Sequence, residues 1–370
     1  MKFSCYKSDI TDALKFVIKA VAPKPVTPIL GGIYLRAENN ILELQANNYQ
    51  LGIIAKIPVN TEISGATVVS GKRLSDFLNK IGGEVVTFDD SDNILTIKNG
   101  NAVVELLVMK PDDFPKVKIP DTDHSFQIRA AHLKDLIRRT AFAISKDESR
   151  PIFTGGLIQI GNDKIAFTAT NTHRLAHATL PSDDVTDYAE FTIPAESLNA
   201  LANQLDTKDI ANLVTLVWND RTCTARFNNY VMTSRLIEGT YPPIDRIFPK
   251  STATNVEVEV AQLKRALEFV ALMAKEDSYN TVKLGIADGG IKIFATSGDV
   301  GTVENFVQAN VTGDELNIAF NVNYILDVLK VVDSNKIHIG FNDRYDPAKF
   351  TEEGNSNYVY IVTPVRALQI

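Results

Sequence analysis

A short alternating strand followed by an amphipathic helix occurs three times in the chain. Phe126 and Ile128 alternate with polar neighbours, and Leu133, Leu136, Ile137, Thr140 and Ala141 then recur at helical spacing. Lys134, Asp135, Arg138 and Arg139 are left on the opposite helix face. The unit also opens the chain, where Phe3 and Cys5 lead into Ile10, Ala13, Leu14 and Val17. It returns where Val256 and Val258 lead into Leu263, Ala266, Leu267 and Val270. Copies 123 and 130 residues apart are domain-sized and too long for a solenoid module, so the chain reads as three duplicated domains.

The rest of each third repeats as well. Pro151-Ile152-Phe153-Thr154-Gly155-Gly156 answers Pro28-Ile29-Leu30-Gly31-Gly32, Ile165 to Asn171 answers Ile41 to Asn47, and Tyr241-Pro242 answers Phe114-Pro115. Six helices are expected, over 8–20, 71–80, 131–142, 195–205, 261–274 and 322–332, among more numerous hairpin strands. This is an α+β class with antiparallel sheets. Linkers near Ile119–Asp123 and Pro249–Ala253 give domains 1–121, 122–249 and 250–370.

At 370 residues, 45% hydrophobic and 22% charged, the chain suits three soluble cores. Met1-Lys2-Phe3 enters a strand directly, with no leader, and no window has the apolar length of a membrane span, so a cytoplasmic protein is expected. Cys5 and Cys223 lack metal-ligand spacing and read as small buried hydrophobes in a reducing compartment. The net charge of −7 is unevenly shared. The six helices hold eleven Lys/Arg against seven Asp/Glu, while the remainder is acidic, which suggests a positive surface within a negative body.

Similar domains in series can continue each other's sheets edge to edge, which removes exposed strand edges. Two such chains head to tail would supply twelve helices. At roughly 10 Å per helix they close a circumference of about 120 Å and leave a hole of about 28 Å, wide enough for a hydrated duplex. Phe269 and Leu272 lie off the core stripe of helix 261–274 and read as a subunit contact, and Phe16 shows a similar misfit on helix 8–20.

Several ordered segments carry a family resemblance. The run Thr168-Ala169-Thr170-Asn171-Thr172-His173-Arg174-Leu175-Ala176 resembles the A-T-D-G-H-R-L-A motif of the bacterial DNA polymerase III beta subunits, the sliding clamps. So do Met1-Lys2-Phe3, Pro28-Ile29-Leu30-Gly31, Tyr241-Pro242 with Arg246, the run Phe320 to Asp327, and the ending Tyr360 to Arg366. The resemblance implies a homodimeric six-domain ring around duplex DNA, without sequence preference, that holds the replicative polymerase to its template. No catalytic site and no cofactor or metal are implied. A mildly basic lining without base readout suits sliding, because each tight phosphate contact would add friction.

The resemblance further implies a pocket between the middle and last domains for short linear motifs of the polymerase III alpha subunit, the clamp loader, other polymerases and repair proteins. Carried over, it comprises Thr170, Thr172, His173, Arg174, Leu175, Pro242, Arg246, Ile247, Asn321, Tyr324, Ile361, Val362, Thr363, Pro364, Val365 and Arg366, with Phe153 and Tyr345 beside it. Leu175, Pro242, Ile247 and Val362 would form an apolar floor for Leu and Phe anchors, and His173, Arg174 and Arg366 would hold peptide carbonyls or an acidic end. Core packing is the plainer role for Leu175 and Val362. Lys24 and Arg150 match basic family positions, and Lys72, Arg73, Arg138, Arg139, Lys264 and Arg265 are added from helix faces as a DNA lining. The expected dimer contact is Leu74, Phe77, Leu106, Val108, Phe269, Leu272 and Met273.

The chain departs from the family at three places. Asn171-Thr172 replaces Asp-Gly, so Asn171 is expected to take any left-handed backbone position, since β-branched Thr172 tolerates it badly. Pro151 and Ile152 stand where some relatives carry tyrosines. Ala367-Leu368-Gln369-Ile370 runs past the arginine where one leucine is usual.

Two other functions compete. For an enzyme there are His173-Arg174, Asp183-Asp184 and the run Asp89 to Asp92, but no phosphate-cradling glycine loop, H-E-x-x-H, G-x-S-x-G or C-x-x-C. The Asp90-Ser91-Asp92 run reads as a solvated turn. The other competitor is a non-encircling three-domain scaffold.

Overall fold

The computed structural model describes residues 1–122, 124–182, 188–244, 246–275 and 280–365. The first repeat runs β1 (Lys2–Tyr6), α1 (Lys7–Val17), β2 (Gly32–Glu38), β3 (Ile41–Asn47), β4 (Leu51–Pro58), β5 (Asn60–Ile63), β6 (Gly65–Ser70), α2 (Gly71–Lys80), β7 (Val85–Ser91), β8 (Ile94–Asn99) and β9 (Ala102–Met109). The second runs β10 (Ser125–Arg129), α3 (Ala130–Thr140), β11 (Gly155–Gly161), β12 (Lys164–Thr170), β13 (Arg174–Pro181), β14 (Ala189–Pro194), α4 (Ala195–Gln204), β15 (Leu213–Trp218), β16 (Thr222–Phe227) and β17 (Tyr230–Arg235). The third runs β18 (Thr254–Glu259), α5 (Val260–Ala274), β19 (Thr281–Ala287), β20 (Gly290–Ser297), β21 (Gly301–Gln308), β22 (Asn310–Thr312), β23 (Leu316–Asn321), α6 (Val322–Val328), β24 (Lys336–Phe341), β25 (Ala348–Glu352) and β26 (Asn355–Val362). The α+β class and the six helices stand as expected.

Local sequence explains these elements. Ile10, Ala13, Leu14 and Val17 bury one stripe of α1, and Leu263, Ala266, Leu267 and Val270 do the same on α5. The two-residue hairpins at Asn39–Asn40, Asp92–Asn93 and Asn162–Asp163 all take positive φ, which Asn and Asp accept and which matches the strand twist. The Asp90 to Asp92 stretch is therefore the end of a strand and a tight turn.

The chain divides into two compact units that cut across the central repeat. One comprises Met1–Lys134 and Glu196–Leu236, and the other Asp135–Ala195 and Ile237–Ile370. The first holds a single sheet of 13 strands, in the order β10-β15-β16-β17-β4-β3-β2-β6-β9-β8-β7-β1-β5. Its repeats join where β4 pairs with β17, Leu51 opposite Ser234 and Ile53 opposite Met232. The second unit holds a nine-stranded sheet, β14-β11-β12-β13-β26-β25-β24-β18-β22, and a four-stranded sheet, β21-β20-β19-β23. There the repeats join where β13 pairs with β26, Arg174 opposite Val362 and Ala176 opposite Tyr360. Both junctions are antiparallel ladders, so the domains are zipped through their backbones.

Four expectations are corrected. The strand answering Ile41–Asn47 is Lys164–Thr170, one residue earlier than the side-chain pattern suggests. Phe16 is no surface misfit: it is fully buried, packed edge-on against Phe227 at 5.9 Å and Tyr230 at 5.3 Å. Leu74 is fully buried in its own unit and has no free surface for a dimer contact. Arg139 is buried rather than on an open helix face. It binds Glu352 at 2.8 Å, Asp135 at 2.8 Å and Asp333 at 2.5 Å.

Candidate functional site

Thr170, Asn171, Thr172 and His173 form a tight loop between β12 and β13. The Asn171 carboxamide oxygen accepts from the backbone N–H of His173 at 3.1 Å and of Arg174 at 3.0 Å. Thr170 Oγ1 accepts from the N–H of Thr172 and donates to the carbonyl of Arg174. The positive φ of this loop, 74°, belongs to Thr172 and not to Asn171, contrary to expectation. Asn171 is held instead by these two bonds and by donating from its carboxamide nitrogen to the Tyr324 hydroxyl at 3.3 Å. The first repeat builds the same loop: Asn48 accepts from Gln50 and Leu51, and Tyr49 takes φ 70°.

This loop is one rim of a cavity of about 210 Å³ inside the second unit. Thr170, Thr172, Arg174, Leu175, Pro242, Ile247, Ile361 and Thr363 line it, joined by Phe153, Tyr241 and Ile244. The lining is mostly apolar. Beneath it Phe153, Leu157, Leu175, Tyr241, Ile244 and Ile361 form one buried cluster, with Phe153 edge-on to Tyr241 at 5.5 Å. Leu175 therefore serves both core and wall. Burial pushes the Tyr241 phenol up, so this side of the wall adds no charge of its own.

The carried-over set divides on inspection. Strand alternation puts Ile361 in the wall, while Val362 is fully buried and not part of it, so Val362 is no floor residue. Arg174 cannot serve as a free anion clamp. Its Nη1 donates to Asp327 at 2.6 Å, its Nη2 donates to the Phe142 carbonyl, and its guanidinium lies 4.6 Å from the Tyr324 ring. Asn321 caps α6 by accepting from the N–H of Asn323, and Tyr324 is half-buried beside Arg174. His173 and Arg246 are exposed, while Thr363, Pro364 and Val365 are half-buried. Thr363 bonds the His173 carbonyl through both its N–H and its hydroxyl, each at 2.9 Å. Tyr345 is exposed. Arg366 and Ala367 to Ile370 lie outside the described residues, as do Asp183 and Asp184. Sequence reasoning passed over Tyr241 and Ile244 as liners, although Tyr241-Pro242 had stood out as a repeat of Phe114-Pro115.

Among the proposed cationic residues, Lys24, Lys72, Arg73, Arg150 and Arg265 are exposed and Lys264 is half-buried. Arg138 differs: it donates to Asp135 at 2.6 Å, Asp333 at 2.7 Å and the Val331 carbonyl at 2.8 Å. Arg138 and Arg139 are thus neutralised within their own unit, and the basic excess of α3 is structural. Of the proposed contact residues, Phe77, Phe269 and Leu272 are 41%, 49% and 67% exposed. Leu106, Val108 and Met273 are half-buried.

Family models for the DNA polymerase III beta subunit match in order: the N-terminal domain over residues 1–118, the central domain over 127–243 and the C-terminal domain over 245–366. The chain belongs to the DNA polymerase III beta subunit family. A beta sliding clamp of Halalkalibacterium halodurans is 30% identical, the match covering 99% of this chain and all of that protein. The DNA polymerase sliding clamp of Bacillus subtilis superposes with a TM-score of 0.95 at 29% identity, over all of both chains. The DNA polymerase III beta subunit of Thermotoga maritima gives a TM-score of 0.92 at 25% identity, over 99% of this chain and all of that one. The chain has the three-domain α+β clamp fold of this family and its function, that of a sliding-clamp processivity factor in DNA replication. Among the described residues, no helix is long and apolar enough to cross a membrane.

Proposed function

We propose that two copies of this chain join head to tail into a six-domain ring around duplex DNA, and that the ring has no catalytic site of its own. The domains are taken as 1–121, 122–249 and 250–370. One observation carries the reading. The chain makes two junctions of the same kind, β4 with β17 and β13 with β26, and each terminal repeat keeps the unused half of a third. Among the described residues, β21 pairs only with β20, and Ala102–Leu107 of β9 pair only with β8. In β21, Val303 stands where Ile53 and Ala176 stand in β4 and β13. In β9, Val104 stands where Met232 and Tyr360 stand in β17 and β26. Transfer of the register pairs Val303 of one chain with Val104 of the other. Phe269, half-exposed on α5, is the third-repeat equivalent of Phe16 and Arg139 and would be covered by the same closure.

Lys24, Lys72, Arg73, Arg150, Lys264 and Arg265 would then face phosphates loosely enough for sliding. The apolar cavity would take the Leu or Phe anchors of short motifs from the polymerase III alpha subunit, the clamp loader and repair proteins, in the cytoplasm. Topology is the test. Protein loaded on a nicked circular plasmid should survive a wash in 1 M salt and be lost once the circle is cut. Equal loss from circle and line would favour a non-encircling scaffold and overturn the ring.

A further inference from the structure

A second cavity, of about 480 Å³, lies in the same unit as the apolar one. Tyr241, Pro242 and Ile244 form a wall common to both. Its floor follows from the alternation of β11, where Leu157, Gln159 and Gly161 share one face. Leu157 belongs to the buried cluster beneath the apolar cavity, so the floor passes from that cluster to an amide and then to bare backbone. β14 runs alongside and places Glu190 opposite Gln159. Gln159 Nε2 and the Tyr188 hydroxyl both donate to Glu190 Oε2, each at 2.9 Å. Tyr188 is itself seated on Gly161, where a Cβ would come within 2.8 Å of its ring. Two neutral donors thus fix the carboxylate through one oxygen, and no cation among the described residues forms an ion pair with it. Lys164, which also lines this cavity, stands opposite Gly161 on β12.

The apolar cavity offers a partner little charge to read, because Arg174 is engaged with Asp327 and the lining is mostly apolar. A segment anchored there by Leu or Phe has only the Tyr241–Pro242 wall to cross before it meets the second cavity. We propose that this second cavity takes the residues flanking the anchors of a partner motif, and that Glu190 selects a lysine or arginine among them. The inference rests on the apolar cavity being the partner-docking site. A carboxylate already fixed on one oxygen suits a cation on the other, since little ordering of Glu190 remains to oppose binding.

The test is a fluorescence-anisotropy titration of the full-length protein and its Glu190→Gln variant. The probes are a fluorescein-labelled hexapeptide with Leu and Phe anchors, and the same peptide extended at either end by two glycines and an arginine, or by two glycines and a glutamate. On the parent, arginine at one of the two ends should tighten binding about 2- to 5-fold over the hexapeptide, and glutamate should not. In Glu190→Gln the ratio of extended to short peptide should fall to about one. No gain from arginine at either end overturns the second site and leaves the apolar cavity standing. A gain that persists in Glu190→Gln, or glutamate matching arginine, overturns selection by Glu190. Failure of the hexapeptide to bind the parent overturns the docking reading itself.

Discussion

Phe16 and Arg139 hold equivalent positions 123 residues apart, yet they close their junctions by opposite chemistry. Phe16 packs on Phe227 and Tyr230. Arg139 meets Glu352 and Tyr358 at the corresponding places, with the Tyr358 hydroxyl donating to the Arg139 carbonyl. One interface is greasy and the other a buried ion pair. Removal of one partner from such a pair leaves a stranded charge. Arg139→Ala should therefore cost about 3–5 kcal/mol in urea unfolding. Arg139→Met combined with Glu352→Leu should cost less than the single change.

Thr172 sits at φ 74°, which a β-branched residue adopts only under strain. Thr172→Gly should raise stability by about 1 kcal/mol, seen as a higher thermal midpoint, because glycine takes this conformation without a Cβ clash. A lower midpoint would mean that the threonine methyl contributes more to the cavity rim than the backbone loses.

Leu175 and Pro242 shape the apolar cavity from a strand and from the segment that crosses it. Leu175→Ala with Pro242→Ala should weaken binding of a Leu/Phe-anchored peptide by at least ~2 kcal/mol while the dimer persists. Peptide titration and light scattering on the same sample separate the two effects.

The transferred register makes a covalent prediction. Val104→Cys in a chain that also carries Val303→Cys should give a disulfide-linked dimer on mild oxidation, visible on a non-reducing gel. A pair displaced by one residue, Val104→Cys with Glu304→Cys, should link poorly, since neighbouring strand positions point to opposite faces.

Burial pushes the Cys5 and Cys223 thiols up to about 12. Native protein at pH 8 should show almost no reaction with a thiol reagent, and both groups should react once it unfolds. The native state holds these protons more tightly than the unfolded chain. The thiols' contribution to stability is therefore complete below pH 8 and should be lost between about 9 and 12, by about 1.4 kcal/mol per pH unit per thiol.

Much of this architecture was legible in the sequence because duplication writes the same pattern three times. Helical periodicity located all six helices to within a few residues. Periodicity reports which face is apolar but not what opposes it, so Phe16 passed for a misfit until Phe227 and Tyr230 supplied its surroundings. For the same reason Arg139 passed for a solvent-facing cation, because Glu352 lies 213 residues away. The loop at Asn171 was misread for a local reason: side-chain hydrogen bonds can hold the asparagine and pass the left-handed turn to the next residue. Val362 and Ile361 were both counted as wall residues, although along β26 their side chains alternate and only Ile361 reaches the cavity. Tyr241 and Ile244 escaped notice as wall residues because a residue's share in a pocket wall depends on tertiary packing that no linear motif records.

The two ladders within the chain have covalent continuity behind them, whereas the free margins of β9 and β21 would be held by side chains and backbone hydrogen bonds alone. In a closed ring those seams are the natural gates. A machine that threads an uninterrupted polymer through the middle need break no peptide bond and unfold no domain. It has only to unzip one short seam, where water can take over the released amides until the margins meet again.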